Sequence, residues 1–302
     1  FNIAAMNKIL PNILLVALVL FASCYYNKED FVVPNNQAPP DPTVSNLVKE
    51  NYVNKIYISV LGRKPLEDEF DQGLAIIDQD NLSLENRDDF LDLVFKKPEY
   101  FNRVYELARV DLLNALDTVL ILEYIFLLDF LLQQTQDAGE REVLIYEQSR
   151  LIQLREVPQE LENGNIDVVE VHRRCLNNLF YDEINMGTEN FVVSVFQNLL
   201  FRFPSSAENI DNNELENGKM IVDGFESVLF FQVGSSKQDF MDIFLASNDY
   251  FEGQVRGLYN RFLFREPDSE EMSALAVDYA QDRDYVKLQK AILSLDEYVG
   301  ID

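Results

Sequence analysis

The sequence predicts an all-α protein, made of tandem, repeated helical modules around a long central apolar helix. Beyond residue 45, apolar side chains recur at spacings of three and four residues, as at Val53, Ile56, Tyr57 and Val60. This spacing is typical of amphipathic helices. The chain has 302 residues but only 11 glycines, and 47% of its residues are hydrophobic. We therefore expect a folded, helical body with a sizeable core.

Composition disfavours several classes of function. The chain carries 52 acidic and 25 basic residues, a formal net charge of −27. Nucleic acid is not an expected partner, because phosphate binding requires clustered Lys and Arg. With one His and two Cys, a His- or Cys-rich metal site is not expected, and no metal or other cofactor is predicted.

Residues 1–23 are predicted to be a signal peptide that starts at Met6. Lys8 is the one charge before an apolar run that is shorter than the about 20 residues of a transmembrane helix. Two small residues directly before Cys24 resemble the lipobox of bacterial lipoproteins. This resemblance implies that Cys24 is lipidated and anchors the chain in a membrane. A plain signal peptide with an incidental cysteine, or a buried N-terminal helix, remains the alternative.

Lys28, Glu29 and Asp30 follow the cysteine closely. A basic residue followed by two acids resembles the surface-export signal of Bacteroidota outer-membrane lipoproteins. It implies a lipid-anchored protein on the cell-surface side of the outer membrane, with the periplasmic side as the alternative. Residues 24–46 are predicted to form a proline-rich tether, because prolines among polar residues favour an extended polyproline II conformation.

Three segments of the body share four positions relative to a proline. An aromatic residue lies eight positions before it, Leu four before, Arg two before and Glu four after. We expect a helix to end before each Arg, the Pro to open the next helix at its first position, and the Arg to pair with the Glu as a structural clamp. The motif residues are Tyr57, Arg63, Pro65 and Glu69; Phe196, Arg202, Pro204 and Glu208; and Tyr259, Arg265, Pro267 and Glu271.

A second element also recurs, and it ends in an acidic residue followed by Tyr: Glu99-Tyr100, Asp249-Tyr250 and Glu297-Tyr298. We expect each Tyr to close the small core of a module. The predicted organisation of the body is module 1 over 47–101, an insert over 102–187, module 2 over 188–251 and module 3 over 252–302.

The first copy reads Tyr-x-x-x-Leu-Gly-Arg-x-Pro. This core resembles short helical modules of bacterial exported and surface proteins. The second and third copies depart from it, with Phe201 and Phe264 in place of Gly62. The resemblance covers about half of the chain and implies an appendage or a scaffold, without a catalytic residue.

The insert contains an apolar run from Val119 to Leu132 that is interrupted by Glu123 and Asp129. A membrane span is disfavoured, because each charge at mid-bilayer costs about 2.5–3.5 kcal/mol. We expect a long central helix that is buried on most sides. An interface with a partner is the alternative.

Candidate reactive residues are few. His172 and Cys175 lie three positions apart on a predicted helix over 168–181, where Cys175 is expected to be a buried thiol. The alternative is a nucleophile whose pKa is lowered by neighbouring arginines. Acidic stretches at 78–81 and 211–214 are expected to be solvated loops, since neither has the glycine that the calcium-binding loop between two helices requires at its sixth position. Calcium binding is the alternative.

We expect a surface-exposed outer-membrane lipoprotein that is a non-catalytic scaffold or accessory subunit of an outer-membrane protein assembly, for secretion, uptake or adhesion. The alternative is a glycan- or peptidoglycan-binding lipoprotein that uses tyrosine in place of the absent tryptophan. An enzyme is not predicted, because 52 acidic residues make chance carboxylate pairs inevitable and single none of them out.

Overall fold

A computed structural model describes residues 44–206 and 213–301. Over these ranges the chain forms fifteen α-helices and one two-stranded antiparallel sheet, so the predicted all-α class is confirmed. The helices are α1 Asn46–Leu61, α2 Glu67–Ile77, α3 Leu84–Phe95, α4 Pro98–Leu112, α5 Thr118–Gln134, α6 Ala138–Glu162, α7 Val168–Leu176, α8 Leu179–Ile184, α9 Thr188–Leu200, α10 Glu214–Val222, α11 Lys237–Leu245, α12 Asn248–Phe262, α13 Ser269–Asp282, α14 Tyr285–Leu293 and α15 Asp296–Val299. The strands β1 Ser227–Leu229 and β2 Gln232–Gly234 lie between α10 and α11.

The predicted signal peptide and most of the predicted tether lie outside the described residues, as do Cys24, Lys28, Glu29 and Asp30. The first described helix begins at Asn46, the last residue of the predicted tether, and Ser45 accepts a hydrogen bond from the Val48 backbone N–H. A capping side chain of this kind satisfies one of the free N–H groups of a first helical turn.

Helix α1 joins the beginning and the end of the described body. Its buried face packs on α2, α3 and α4. Its polar atoms reach the last two helices: the Tyr52 hydroxyl donates to the Leu293 carbonyl at 3.2 Å, and Lys55 Nζ donates to the Tyr298 carbonyl at 2.6 Å. The N-terminal and C-terminal helices therefore share one core.

The prediction of a buried central helix is wrong. The apolar run forms α5, but only Ile121, Ile125 and Leu128 of this helix are buried, and its main neighbour is α6. A helix that is apolar on every side has no polar face to direct its orientation, and one neighbouring helix covers only one side of it. Among the described residues, no helix combines the length and the apolar character needed to cross a membrane.

The single helix expected over 168–181 is two helices, α7 and α8. Asn178 lies between them and is fully buried. Its side-chain oxygen accepts from the backbone N–H groups of Phe180 and Tyr181, and its amide nitrogen donates to the Arg174 carbonyl. One buried amide therefore ends the first helix and caps the second.

Two predicted module boundaries, 101/102 and 251/252, fall inside helices α4 and α12. Pro98 is the first residue of α4, and Ser247 caps α12 through the backbone N–H of Tyr250. The acid-Tyr pairs therefore lie in the first turns of helices, and Tyr100, Tyr250 and Tyr298 are buried, as expected of residues that close a core. An arrangement of the chain as three tandem modules stays a prediction.

The β-hairpin was not predicted from the sequence. Its two-residue turn is Phe230-Phe231, with φ values of 48° and 63°. Phe230 packs on Phe196 and Phe244, with ring centroids 5.9 and 6.0 Å apart, whereas Phe231 is 100% exposed. A two-residue turn with positive φ at both positions usually has Asn or Gly there, so the sequence carried no usual turn signal.

Candidate functional site

The three arginine motifs lie at turns that follow α1, α9 and α12. Each turn contains one residue in the left-handed region: Gly62 at φ 75°, Phe201 at φ 57° and Phe264 at φ 57°. The predicted helix ends at these positions are confirmed. Only glycine adopts this conformation without steric cost, so the two phenylalanines are strained.

The predicted Arg–Glu pair is present in the first and third copies. Arg63 donates two hydrogen bonds to Glu69, at 2.6 and 2.9 Å, and Arg265 donates two to Glu271, both at 2.8 Å. Two parallel N–H···O bonds are the strong geometry of an arginine–carboxylate pair. In this arrangement the arginine clamps the start of the following helix.

In the second copy the carboxylate is a different residue. Arg202 donates to both oxygens of Glu214, at 2.6 and 2.8 Å, and Glu214 opens α10. Glu208, the expected partner, lies outside the described residues. The expectation assumed a fixed spacing after the proline, whereas Glu214 lies 12 residues from Arg202.

The prolines do not take the first helical position that we expected. Leu66 and Asp268 are the N-caps of α2 and α13, so Pro65 and Pro267 each precede a cap. Pro204 lies outside any helix, and the next helix that the structure describes begins at Glu214. At each turn the clamp glutamate accepts the backbone N–H of the residue directly after the proline, which fixes the entry into the helix.

Each clamp arginine also binds a second carboxylate, a contact that was not predicted from the sequence. These carboxylates belong to the acid-Tyr pairs that open α4, α12 and α15. The signal was therefore visible in the sequence as the recurring acid before Tyr. The pairs are Arg63–Glu99 at 2.8 Å, Arg202–Asp249 at 2.5 Å and Arg265–Glu297 at 2.7 Å.

The guanidinium groups also lie over the aromatic rings of the motif. Their distances to the ring centroids of Tyr57, Phe196 and Tyr259 are 5.6, 5.1 and 5.0 Å. The hydrogen bonds from Arg265 lower the pKa of Glu271 to about 2, so this carboxylate is charged at neutral pH. With two carboxylates and a ring engaged by each arginine, the turns act as structural clamps.

A separate polar cavity of about 50 Å³ lies where α4, α7, α9, α12 and α14 meet. Buried His172, Gln254 and Gln289 line it. Arg261 and Asp111 also line the cavity and form an ion pair at 2.7 Å. This cavity brings together residues that no sequence motif connects.

His172 is uncharged in this cavity. Burial and, to a lesser extent, the nearby Arg261 charge lower its pKa to about 4. Its Nδ1 lies 2.8 Å from the Tyr250 hydroxyl. Its Nε2 has no hydrogen-bond partner in the part of the chain that the structure describes. The single histidine therefore retains one free hydrogen-bonding atom.

The two glutamines are also only partly satisfied. The Gln254 amide nitrogen donates to the Leu199 carbonyl at 3.4 Å, and the Gln289 side-chain oxygen accepts from the Tyr100 hydroxyl at 2.7 Å. Within residues 44–206 and 213–301, the Gln254 side-chain oxygen and the Gln289 amide nitrogen form no further hydrogen bond. Each residue thus leaves one polar atom available beside the cavity.

Cys175 is fully buried, as predicted. Burial raises the pKa of its thiol to about 12, so the thiol is protonated at neutral pH. The neighbouring Arg173 and Arg174 form ion pairs with Asp242 and Glu170. The nucleophile hypothesis is therefore disfavoured, because the thiolate is the reactive form.

The first acidic stretch provides an ion pair: Asp78 accepts from Lys49 Nζ at 2.7 Å. Positions 211 and 212 of the second stretch lie outside the described residues. In the described ranges, no three His, Cys, Asp or Glu side chains come close enough together to hold a metal ion.

A third feature is the exposed apolar side of α5, which we call the α5 face. Its middle holds a carboxylate, because the neighbours of Glu123 at three and four positions on either side are apolar and exposed. The helix carries Glu123 and Asp129 but no basic residue. The α5 face consists of Val119, Leu120, Phe126, Leu127, Phe130 and Leu131, whose exposed fractions range from 37% to 65%.

Comparison with known proteins gave no relative: no protein-family model, no curated protein and no solved structure matches this chain. Function must therefore be inferred from the clamps, the cavity and the α5 face.

Proposed function

We propose that this protein is a non-catalytic helical scaffold or accessory subunit that binds another protein of an outer-membrane assembly through the α5 face. The single observation that carries this proposal is the exposure of six large apolar side chains on one side of one helix. Isolated exposed apolar residues are ordinary on protein surfaces, but a continuous apolar patch is typical of an interaction site.

Two aromatic rings are the expected anchors of the contact. Phe126 is 65% exposed and Phe130 is 58% exposed. They lie four residues apart and therefore project from the same side of α5. Full burial of one such side chain contributes about 1.5–3 kcal/mol, and aromatic residues dominate the energy of many interfaces.

Charge supports the choice of a different protein over a second copy of this chain. A second copy of this chain would place Glu123 and Asp129 beside further acids, between two molecules that each carry a net charge of −27. A partner with Lys or Arg within an apolar surface would neutralise Glu123 instead. The occupant is therefore a different protein, apolar at the contact and basic opposite Glu123.

The proposed location rests on the N-terminal sequence. A lipid on Cys24 would hold the chain in the outer membrane, and Lys28, Glu29 and Asp30 favour the cell-surface side over the periplasmic side. We expect Cys24→Ser to release the protein from the membrane fraction, and protease treatment of intact cells to degrade the wild-type protein. Membrane retention of the variant would contradict lipid anchoring, and full protection from protease would favour the periplasmic side.

The interaction is tested by purification in mild detergent with a double variant, Phe126→Glu and Phe130→Glu. The control is Phe225→Glu, since Phe225 is 63% exposed and lies outside α5. We expect wild type and control to retain a stoichiometric partner, and the double variant to lose it. A partner retained by the double variant, or a wild-type protein that purifies as a monomer or as a homodimer through α5, would overturn the proposal.

A further inference from the structure

The polar cavity leaves three buried hydrogen-bonding side chains unsatisfied around one space. The exposed fractions of His172, Gln254 and Gln289 are 9%, 8% and 4%. Each has one polar atom with no hydrogen-bond partner among the described residues: His172 Nε2, Gln254 Oε1 and Gln289 Nε2. None of these three atoms is among the fully buried, unpartnered side-chain atoms of the described residues, so each keeps surface that a water-sized group can reach. The cavity therefore suits contents that both donate and accept hydrogen bonds.

The charges around the cavity favour uncharged contents. Its buried polar groups are a neutral imidazole and two amides. The charged residues that line it, Arg261 and Asp111, neutralise each other in an ion pair. A charged molecule would lose its hydration here without meeting a free opposite charge.

Phe201 adds an aromatic ring to the lining. It is 49% exposed, whereas the three polar side chains are buried, so it lies at the outer end of the cavity. Its ring lies against Gly257, where an added Cβ would come within 2.8 Å of two ring carbons. A side chain at position 257 would therefore displace the ring.

The backbone of Phe201 is strained at this same place. Its φ of 57° is the conformation that Gly62 adopts in the first turn. A bulky residue in this region costs about 1–2 kcal/mol relative to the right-handed conformation. Phe264 has the same φ without lining the cavity, so the strain belongs to the turn, and only the position of its ring distinguishes Phe201.

We propose that this cavity binds an uncharged, hydroxyl-rich molecule, namely one edge of a sugar ring. A volume of about 50 Å³ accommodates roughly three to five water-sized groups, which fits two or three ring hydroxyls. His172, Gln254 and Gln289 bind these hydroxyls, and the C–H side of the ring packs on Phe201. The site is separate from the α5 face, so it goes beyond the scaffold function and does not depend on it.

The sugar has two possible sources, a free monosaccharide or the terminal residue of a glycan chain. Saturation-transfer NMR on the full chain with glucose, galactose, mannose and N-acetylglucosamine tests the first source, and a glycan array tests the second. We expect saturable binding of at least one neutral sugar in one of the two formats. For a free sugar, we expect glucuronate to bind about tenfold more weakly than its neutral counterpart.

Two variants locate the site. Phe201→Gly relieves the backbone strain but removes the ring, and Gln289→Leu removes one hydrogen-bonding group. We expect each to weaken binding about tenfold while circular dichroism shows a folded protein. Phe264→Gly is the matched control, because Phe264 has the same backbone conformation but is 87% exposed and does not line the cavity.

Three results would overturn the proposal. The first is no binding of any neutral sugar in either format at about 10 mM, well above a millimolar dissociation constant. The second is wild-type affinity in the Phe201→Gly variant. The third is a crystal structure from sugar-soaked crystals in which the cavity holds only water. None of these results bears on the partner bound at the α5 face.

Discussion

The arginine turns and the α5 face both combine aromatic rings with acidic side chains, but they differ in the burial of the rings and in the pairing of the charges. At the turns, charged groups are paired and the aromatic rings beneath them are buried: Phe196 is 0% exposed under Arg202. On the α5 face, Phe130 is 58% exposed and Glu123 has no ion pair among the described residues. The turns therefore contribute to stability, whereas the α5 face contributes little to the fold and is available for binding.

Replacing one aromatic residue in each region gives the largest expected difference. Phe196→Ala is expected to lower the free energy of unfolding by about 3–5 kcal/mol, because it leaves a cavity in the core. Phe130→Ala is expected to change it by less than about 0.5 kcal/mol. Urea unfolding measures both. Equal losses would show that the α5 face is part of the core of the free protein.

The clamp is tested next, with Arg63→Ala. Glu69 would retain Lys97 at 2.7 Å but lose both bonds from Arg63, so we expect a loss of about 1–3 kcal/mol, between the values for exposed and buried pairs. Lys287→Ala is the control, since Lys287 is 53% exposed and its partners Asp278 and Asp282 are 60% and 38% exposed. A loss for the control as large as for the clamp would contradict a special role of the turns.

The contribution of the third clamp to stability is expected to depend on pH. The pKa of Glu271 is about 2 in the folded protein against an ordinary 4.5, because Arg265 binds the charged form. A lowered carboxyl pKa contributes stability above pH 4.5 and loses it as the pH falls towards about 2. We expect wild type to be more stable than Glu271→Gln above pH 4.5, with the gap closing towards pH 2. A gap that is constant over this range in urea unfolding would refute the charge-based explanation.

The smallest expected effects concern the left-handed residues of the turns. Gly62→Ala is expected to destabilise by about 1 kcal/mol, because Gly62 has a φ of 75° and an added Cβ would lie 3.2 Å from the Arg103 side chain. Phe264→Gly is expected to stabilise slightly, by about 0.5 kcal/mol, since the ring is exposed and the strain is removed. Thermal unfolding measures both changes. Shifts of the melting temperature with the same sign would contradict this prediction.

Short-range features of the fold were predictable from the sequence. The helical class follows from apolar spacing, and the Arg63–Glu69 pair joins residues only six positions apart. The second carboxylate of each clamp was not assigned, because Glu99 lies 36 residues from Arg63 and meets it only through packing. The prediction that α5 is buried on most sides was wrong for another reason: apolar residues on all sides of a helix do not specify which side is buried.

The cavity could not have been predicted from motifs. His172 was considered with Cys175, its neighbour on the same helix, yet its hydrogen bond is to Tyr250, 78 residues away. Gln254 and Gln289 are ordinary polar residues in sequence and become distinctive only when buried. Burial of neutral polar groups by distant helices leaves no local pattern.

Helix α12 connects two of the arginine turns to the cavity. Its first turn holds Asp249, the partner of Arg202, and it ends just before the turn of Arg265. Between these ends it supplies Gln254 and Arg261 to the cavity. A 15-residue helix is a stiff rod of about 22 Å, so a small tilt at one end displaces the other. A molecule bound in the cavity would therefore contact a helix whose two ends are held by ion-paired turns.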